Sequence, residues 1–468
     1  MKRTPSILVL LLALGVGISG GTLFATDAKR PNILLITADD LGLNLSCYGE
    51  KRIATPKLDA MAAEGVLFRN AYVAQSSCSA SRAALLTGRW PHQNGQVGLA
   101  HLGFRMHSGQ PTMPALLKAA GYRTGIIGKL HVEPAAEFPF DWMPKEKTAP
   151  LPTRNVRWVA EQSRAFLASA KAAGRRFFYY VNYMDPHGPL NKETDQIAGL
   201  PEKPLTATAI KEPIPLNATD PSKNAMATAR LLNSVMRIDA GIGLLLDELK
   251  AAGFAENTMV IFVGDNGTAM PRGKTTCYET GVRVPMLMRW PGSAKAGQVR
   301  AETVSLLDLM PTVLAACGVK APDTLVGAAL QPLLRGESAA DWRELLFTEM
   351  NFHTPDVFRP QRTVRDRRYK LVLNLAPNTE QPAVELFDLQ NDPNETKNLS
   401  ADPAHADARK KLETAMQGWR EKRGDPLLDA ARLQRWKDAA ASWAKQPRVK
   451  AGFSMVVRVP EGGLELLR

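Results

Sequence analysis

The run Pro31-Asn32-Ile33-Leu34-Leu35-Ile36-Thr37-Ala38-Asp39-Asp40 is apolar almost to its end, where it stops on two adjacent carboxylates. Unbroken rather than alternating apolar residues mark a strand buried on both faces, which demands a largely parallel sheet with helices packed on each side. Open sheets of that kind take ligands outside the carboxyl ends of their strands. Asp39 and Asp40 therefore lie where such a fold does its chemistry.

The rest of the chain keeps the same alternation. Strands are predicted over 122–127, 177–183, 259–263 and 282–289, and helices over 56–64, 113–120, 156–173 and 225–252. In the last helix Leu231, Val235, Ile238, Ile242, Leu245 and Leu249 recur at steps of four and three, which places them on one apolar stripe. The predicted fold class is α/β, a large mostly parallel sheet flanked by helices. At 468 residues the chain exceeds one compact domain. Past residue 346 strand signals around Tyr369 to Leu375, the turn-rich Asn391-Asp392-Pro393-Asn394 and then Ala/Lys/Arg-rich helical sequence predict a smaller α+β domain. The expected division is a large domain over 29–346, a smaller one over 347–430 and a tail over 431–468 of unknown role. Pro189, Pro201, Pro204, Pro213, Pro215 and Pro221 make 189–222 a long irregular connection suited to a wall or lid.

Lys2 and Arg3 precede the apolar run Ile7 to Val16 and a small-residue stretch, the pattern of a signal peptide occupying about residues 1–28. The expected location is outside the cytoplasm, periplasmic or secreted in a bacterium, with no stable membrane span after cleavage. Cys47, Cys78, Cys277 and Cys317 are too few and scattered for a disulfide framework or zinc ribbon. The net charge of +13 suits an acidic partner such as a sulfated polysaccharide. Nucleic acid is excluded as a partner, because no recognition-helix, RNP-like or zinc-finger pattern is present.

Asp265-Asn266-Gly267 follows the predicted strand 259–263, so in a parallel sheet it reaches the same edge as Asp39 and Asp40. Four hard oxygen side chains there, with no histidine or cysteine among them, suit Ca2+ better than Zn2+. Cys78 opens the run Cys78-Ser79-Ala80-Ser81-Arg82-Ala83-Ala84-Leu85-Leu86-Thr87-Gly88, whose Ser79 to Leu86 reads as a helix. A group at a helix N-terminus meets free N–H groups and a dipole that favour an anion. Arg82 lies one turn on. Gly128-Lys129-Leu130-His131, Asp185-Pro186-His187-Gly188-Pro189 and Gly273-Lys274 bring further cationic or protonatable groups to strand ends. A protonated His187 or His131 is suited to serve a departing group.

These segments, with His92-Gln93-Asn94-Gly95, Arg123-Thr124-Gly125-Ile126-Ile127-Gly128-Lys129 and Glu385-Leu386-Phe387-Asp388, resemble the type I sulfatases, and most closely their heparan N-sulfatase (sulfamidase) branch. The resemblance implies an alkaline-phosphatase-like fold whose C-terminal domain contains an antiparallel sheet. It implies that a maturase converts Cys78 to formylglycine, whose hydrated aldehyde attacks sulfur and later expels the sulfate. It further implies Asp39, Asp40, Asp265 and Asn266 as ligands of one Ca2+ ion, and Arg82, Lys129, His131, His187 and Lys274 as the groups around the sulfate. Sulfamidase-like enzymes cut an N-sulfo group from glucosamine, and most relatives cut O-sulfate esters. Ala80 stands where the commonest signature has proline, a variant that radical-type maturases tolerate. Lys274 stands where the sulfamidase branch has arginine, so N- and O-sulfated glycans both remain as substrates. The rivals are a phosphatase or phosphonate hydrolase of the same superfamily and a basic glycan-binding protein that is never matured. His92, His101, His353 and Arg359, in glycine-rich or aromatic and basic segments, are further candidates for substrate contact.

Overall fold

The computed structural model describes residues 30–144, 152–192, 196–216, 220–378, 381–451 and 454–467. The signal-like segment lies outside them. Eight strands make the main sheet: β1 (Asn32–Asp39), β2 (Val66–Tyr72), β3 (Arg123–Ile127), β4 (Phe177–Pro186), β5 (Thr258–Gly264), β6 (Arg283–Val284), β7 (Met286–Arg289) and β8 (Gln298–Ser305). Their order is β3-β4-β1-β5-β7-β2-β6, with β8 alongside β2. From β3 to β5 every neighbour is parallel. Beyond β5 the sheet is mixed, because β7 runs antiparallel to both β5 and β2. The predicted strand over 282–289 is thus two short strands broken at Pro285.

Successive residues on a strand point to opposite faces, and the two sides of this sheet are filled accordingly. Ile33, Leu35, Phe178, Tyr180, Ile261 and Val263 pack on one face with Leu85 and Leu86 of the helix Cys78–Thr87 and with Met310 and Val313. Leu34, Ile36, Tyr179, Val181, Val260 and Phe262 pack on the other, against the helices Val156–Ala172 and Asn224–Ala251. The predicted stripe of the long helix from Leu231 to Leu249 is buried throughout. The register that matters for function is Ala38 opposite Gly264, which brings Asp39, Asp40 and Asp265 out side by side.

The second sheet is an antiparallel meander of β9 (Leu346–Phe352), β10 (Phe358–Arg365), β11 (Tyr369–Asn374) and β12 (Val384–Asp388). The helix Ala406–Arg423 covers it through Leu412, Met416 and Trp419. In the tail, the helix Ala430–Trp443 sets Trp436 and Trp443 against Phe352, Phe104 and Val97, and β13 (Val449–Ala451) pairs with β14 (Ser454–Val456) as a hairpin. Among the described residues no helix is long and apolar enough to cross a membrane, and all four cysteines are free.

A buried polar knot joins the two sheets. Glu279 accepts from the Tyr72 hydroxyl at 2.7 Å and pairs with Lys370 at 3.0 Å and Arg365 at 3.3 Å, while Lys370 also reaches Glu395 at 2.9 Å. Burial alone would raise the Glu279 carboxyl, but Lys370 and then Arg365 outweigh it and hold it at about 2. Its stabilisation is therefore complete above the ordinary glutamate value of 4.5 and is lost as the pH falls through about 2. Glu279→Ala leaves the buried Arg365 without its carboxylate and Lys370 with Glu395 alone, and urea unfolding at pH 7 is expected to show a loss of about 3–5 kcal/mol that shrinks on acidification.

Candidate active site

Cys78 is the first residue of its helix and is buried, 1% exposed. The loop that delivers it is fixed by the second sheet. The Glu349 N–H donates to the Ala74 carbonyl at 2.8 Å, Gln75 donates to the Val97 and Phe352 carbonyls, and Asn351 donates to Gln75 Oε1 at 2.9 Å. Cys78 Sγ lies 3.4 Å from Asp39 Oδ1 and 3.9 Å from Asp40 Oδ1. Burial, reinforced by Asp39, pushes the thiol up to about 12. An unmodified Cys78 is protonated at neutral pH and is a poor nucleophile in that state.

The carboxylates around it are buried and each has a cation. Lys129 Nζ lies 2.6 Å from Asp39 Oδ2, Lys274 Nζ 2.6 Å from Asp40 Oδ1, and Arg82 Nε 2.8 Å from Asp265 Oδ2. Burial opposes the charge on Asp39, but Lys129 and then Arg82 hold its carboxyl well below the usual range. Asp265, raised to about 6 by burial and by the charge of Asp39, carries the strain of the crowded acids. Two glycines make this crowding sterically feasible. A Cβ at Gly267 would fall 2.0 Å from the Thr280 carbonyl oxygen, and one at Gly128, where φ is +88°, 2.3 Å from the Asn182 carbonyl.

The donor set fits a hard divalent cation. Asp39, Asp40, Cys78 and His187 each offer an atom within 4.8 Å of the others. Asn266 donates its Nδ2 to Asp40 Oδ1 at 2.8 Å, and its buried Oδ1 has no partner. Asp40 holds a left-handed backbone at φ 64°, tolerable for aspartate and common where a site over-determines its geometry. Asp39 and Asp40 thus present carboxylate oxygens at one buried point beside Cys78 and His187, and hydrogen bonds join Asp265 and Asn266 to Asp40.

Asp40, Cys78, Lys129 and Lys274 form the buried end of a cavity of about 690 Å³. His101, His131, His187 and His353 also line it, as do Leu99, Leu102, Met184, Gly188, Pro189 and Thr354. The proline-rich connection contributes through Pro189, as a wall. His131 Nε2 meets His101 Nδ1 at 2.6 Å, and the rings stack at 4.8 Å. Burial, then Lys129, drives His131 well below the usual histidine range, which favours its neutral form. His187 is half-buried, with Nε2 3.9 Å from Asp40 Oδ2 and Nδ1 2.6 Å from the Gly188 carbonyl. His353 Nδ1 bonds Ser77 Oγ at 3.0 Å, beside Cys78.

Three expected site residues lie elsewhere. Arg82 is fully buried and does not line the cavity; its Nε pairs with Asp265 at 2.8 Å. His92 is clamped between Glu349 and the Arg423 carbonyl, and Arg359 is exposed on β10 and is not among the residues that line the cavity. Sequence reasoning also missed supporting groups. Asn182 Oδ1 accepts from Arg82 Nη1 at 2.5 Å and from Thr37 Oγ1 at 2.6 Å. Arg237 pairs with Asp185 at 2.6 Å, and Arg154 donates to the His187 carbonyl, which fixes the loop bearing His187. Asn182 and Asp185 stand in the predicted strand 177–183 or just past it, and polar residues at a buried strand end were the available signal.

A model of the sulfatase family matches residues 31–319. The chain belongs to the sulfatase family. It is thereby a sulfuric ester hydrolase by class, and a second model, for the C-terminal region of N-sulphoglucosamine sulphohydrolase, matches residues 272–422. Human N-sulphoglucosamine sulphohydrolase is 33% identical to this sulfatase over 91% of the chain and 95% of its own length. An ulvan-active sulfatase of Formosa agariphila is 29% identical over 86% of the chain and 82% of its own length. Among solved structures, one bound to its substrate D-glucosamine-2-N,6-O-disulfate superposes with a TM-score of 0.66 at 21% identity, covering 85% of this chain and 99% of the other. A phosphonate monoester hydrolase from Silicibacter pomeroyi gives 0.66 at 23%, covering 86% and 97%. At those identities the likeness establishes the alkaline-phosphatase-like fold, and fold does not decide between sulfate and phosphonate.

Arg82→Lys keeps the charge but loses the fork that spans Asp265, Asn182 and the Lys129 carbonyl. Sulfate release by the matured enzyme is expected to fall about 100-fold, since small misplacements of reacting groups cost that much.

Proposed function

We propose that this sulfatase is exported and hydrolyses a sulfate group from a sulfated glycan, N-sulfoglucosamine being the first substrate to try, with formylglycine made from Cys78 by a maturase and one Ca2+ ion. The observation that carries the reading is the placement of Cys78: a buried helix N-terminus in contact with Asp39, whose other oxygen is held by Lys129, and with Asp40 Oδ1, which Lys274 also holds. The match of both family models and the human N-sulphoglucosamine sulphohydrolase supports the N-sulfo group as the first choice.

Formylglycine supplies a hydrated aldehyde oxygen as nucleophile, and Ca2+, held by Asp39, Asp40, Asp265 and Asn266, supplies a Lewis acid. The remaining work belongs to the side chains of this chain. Lys129 and Lys274 face both the carboxylates and the cavity, so they can stabilise charge that grows on the non-bridging sulfate oxygens in a water-poor pocket. His187 is placed to give a proton to the departing nitrogen or oxygen. The neutral His131, braced by His101, orients rather than protonates. Lys274, where arginine would favour the sulfamidase branch, supports an O-sulfated sugar as the second substrate. The phosphonate hydrolase neighbour makes phosphonate and phosphate esters the control substrates.

Protein from the native host is expected to carry formylglycine at position 78, seen as a mass loss in the Cys78 peptide, and to release sulfate from N-sulfoglucosamine. Cys78→Ala should lower kcat at least about 1,000-fold, as removal of a covalent nucleophile does. An unmodified thiol in every molecule, or phosphate release in place of sulfate release, would refute this function. Chelation should abolish turnover, and Asn266→Ala should raise the Ca2+ concentration needed to restore it.

A further inference from the structure

The tail beyond residue 430, past the last residue matched by either family model, returns to the active-site cavity. Ala451, Ser454 and Val456 of the β13–β14 hairpin line it together with His101, His353 and Lys129. The hairpin register explains which residues face inward. Val449 pairs with Val456 and Ala451 with Ser454, and these positions share one face; Lys450 pairs with Met455 on the other. The hairpin is held in place from both sides. Arg448 bridges to Asp356 at 2.9 Å, Val457 is buried among Phe352, Trp436 and Trp443, and the Val459 N–H donates to the Leu102 carbonyl at 2.8 Å.

The inner face has the chemistry of a sugar site rather than of a protein core. Its cavity-lining residues are small and uncharged, which leaves room for a ring, and Ser454 adds a hydroxyl. From Gln446 to Pro460 the sequence has Arg448, Lys450 and Arg458 and no acidic residue. The sulfate-handling groups lie at the buried end, whereas the hairpin stands at the exposed rim, where the unreacted part of a substrate must pass.

We propose that the β13–β14 hairpin is a substrate-recognition wall whose inner face binds the sugar unit adjoining the one that carries the scissile sulfate. This rests on the glycan reading above, and it predicts binding selectivity for chain length. The test is calorimetric titration of two probes, N-sulfoglucosamine and an N-sulfated heparan sulfate tetrasaccharide, into the Cys78→Ala protein, which cannot turn them over. Ala451→Glu and Ser454→Glu, on the inner face, are expected to raise the tetrasaccharide Kd at least about 10-fold through like-charge repulsion. They should change the monosaccharide Kd less than about three-fold, as should Lys450→Glu on the outer face with either probe, since exposed charges out of contact contribute little. Matching thermal unfolding midpoints check that the variants are folded. Equal tetrasaccharide Kd values for Ala451→Glu and Lys450→Glu, an equal loss on both probes, or no tetrasaccharide binding by the parent protein would overturn the proposal. Absence of sulfate release by the matured wild type would instead overturn the catalytic reading, and the same binding ratios would still decide the role of the wall.

Discussion

Three carboxylates and three cations meet in the buried space at the carboxyl edge of β1 and β5, and the site depends on their balance. Asp39, Asp40 and Asp265 are matched one for one by Lys129, Lys274 and Arg82. Without that match the desolvation of three acids within a few ångströms would oppose folding by several kcal/mol for each ion. With it the cluster is neutral. A divalent cation added to the same cluster makes it net positive by two, and this excess draws an anionic group into a pocket that is otherwise lined by histidines and apolar side chains.

The main sheet provides only half of the site. Its parallel strands deliver the carboxylates, but the position of Cys78 is set from the second sheet, through Glu349, Asn351 and Gln75 and through His353 on Ser77. The knot around Glu279 ties the two sheets at another point. Cys78 and the carboxylates beside it are therefore positioned by both sheets together, and a change that loosens the second sheet reaches the site without touching it.

The strand at 32–39 was legible because a continuous apolar run has few alternative structures, and the long helix because its stripe from Leu231 to Leu249 spans about five turns. β2 and β8 were not. β2 interrupts its apolar residues with Arg69 and Asn70, and β8 reads as polar in Gln298, Arg300 and Glu302, because both lie where the sheet turns antiparallel and partly exposed. Among site residues, Asp39, Asp40, Cys78, Lys129, Lys274 and Asp265 could be found because each ends or follows a predicted strand or opens a helix. Arg82 was identified too, but its full burial and its pairing with Asp265 follow from the packing of the helix against the sheet and have no local signal. His92 carried a suggestive glycine-rich context, yet its partner Glu349 is 257 positions away, a pairing that no local pattern can signal. The tail offered no motif at all, because its contribution is a surface presented to the cavity.

The burial of Cys78 also imposes an order of events. In the folded molecule its side chain is enclosed by groups that nearly all follow it in the chain: Lys129, His187, Asp265, Lys274 and His353. No enzyme could grip the Ser77–Arg82 stretch in an extended form without first dismantling the helix and the clamp on Gln75. Any covalent conversion of this residue must then be complete while those later segments are still unplaced, so the yield of active molecules depends on a race between modification and closure of the sheet edge. A mutation that accelerates folding could in that case leave a stable, well-packed and inert protein.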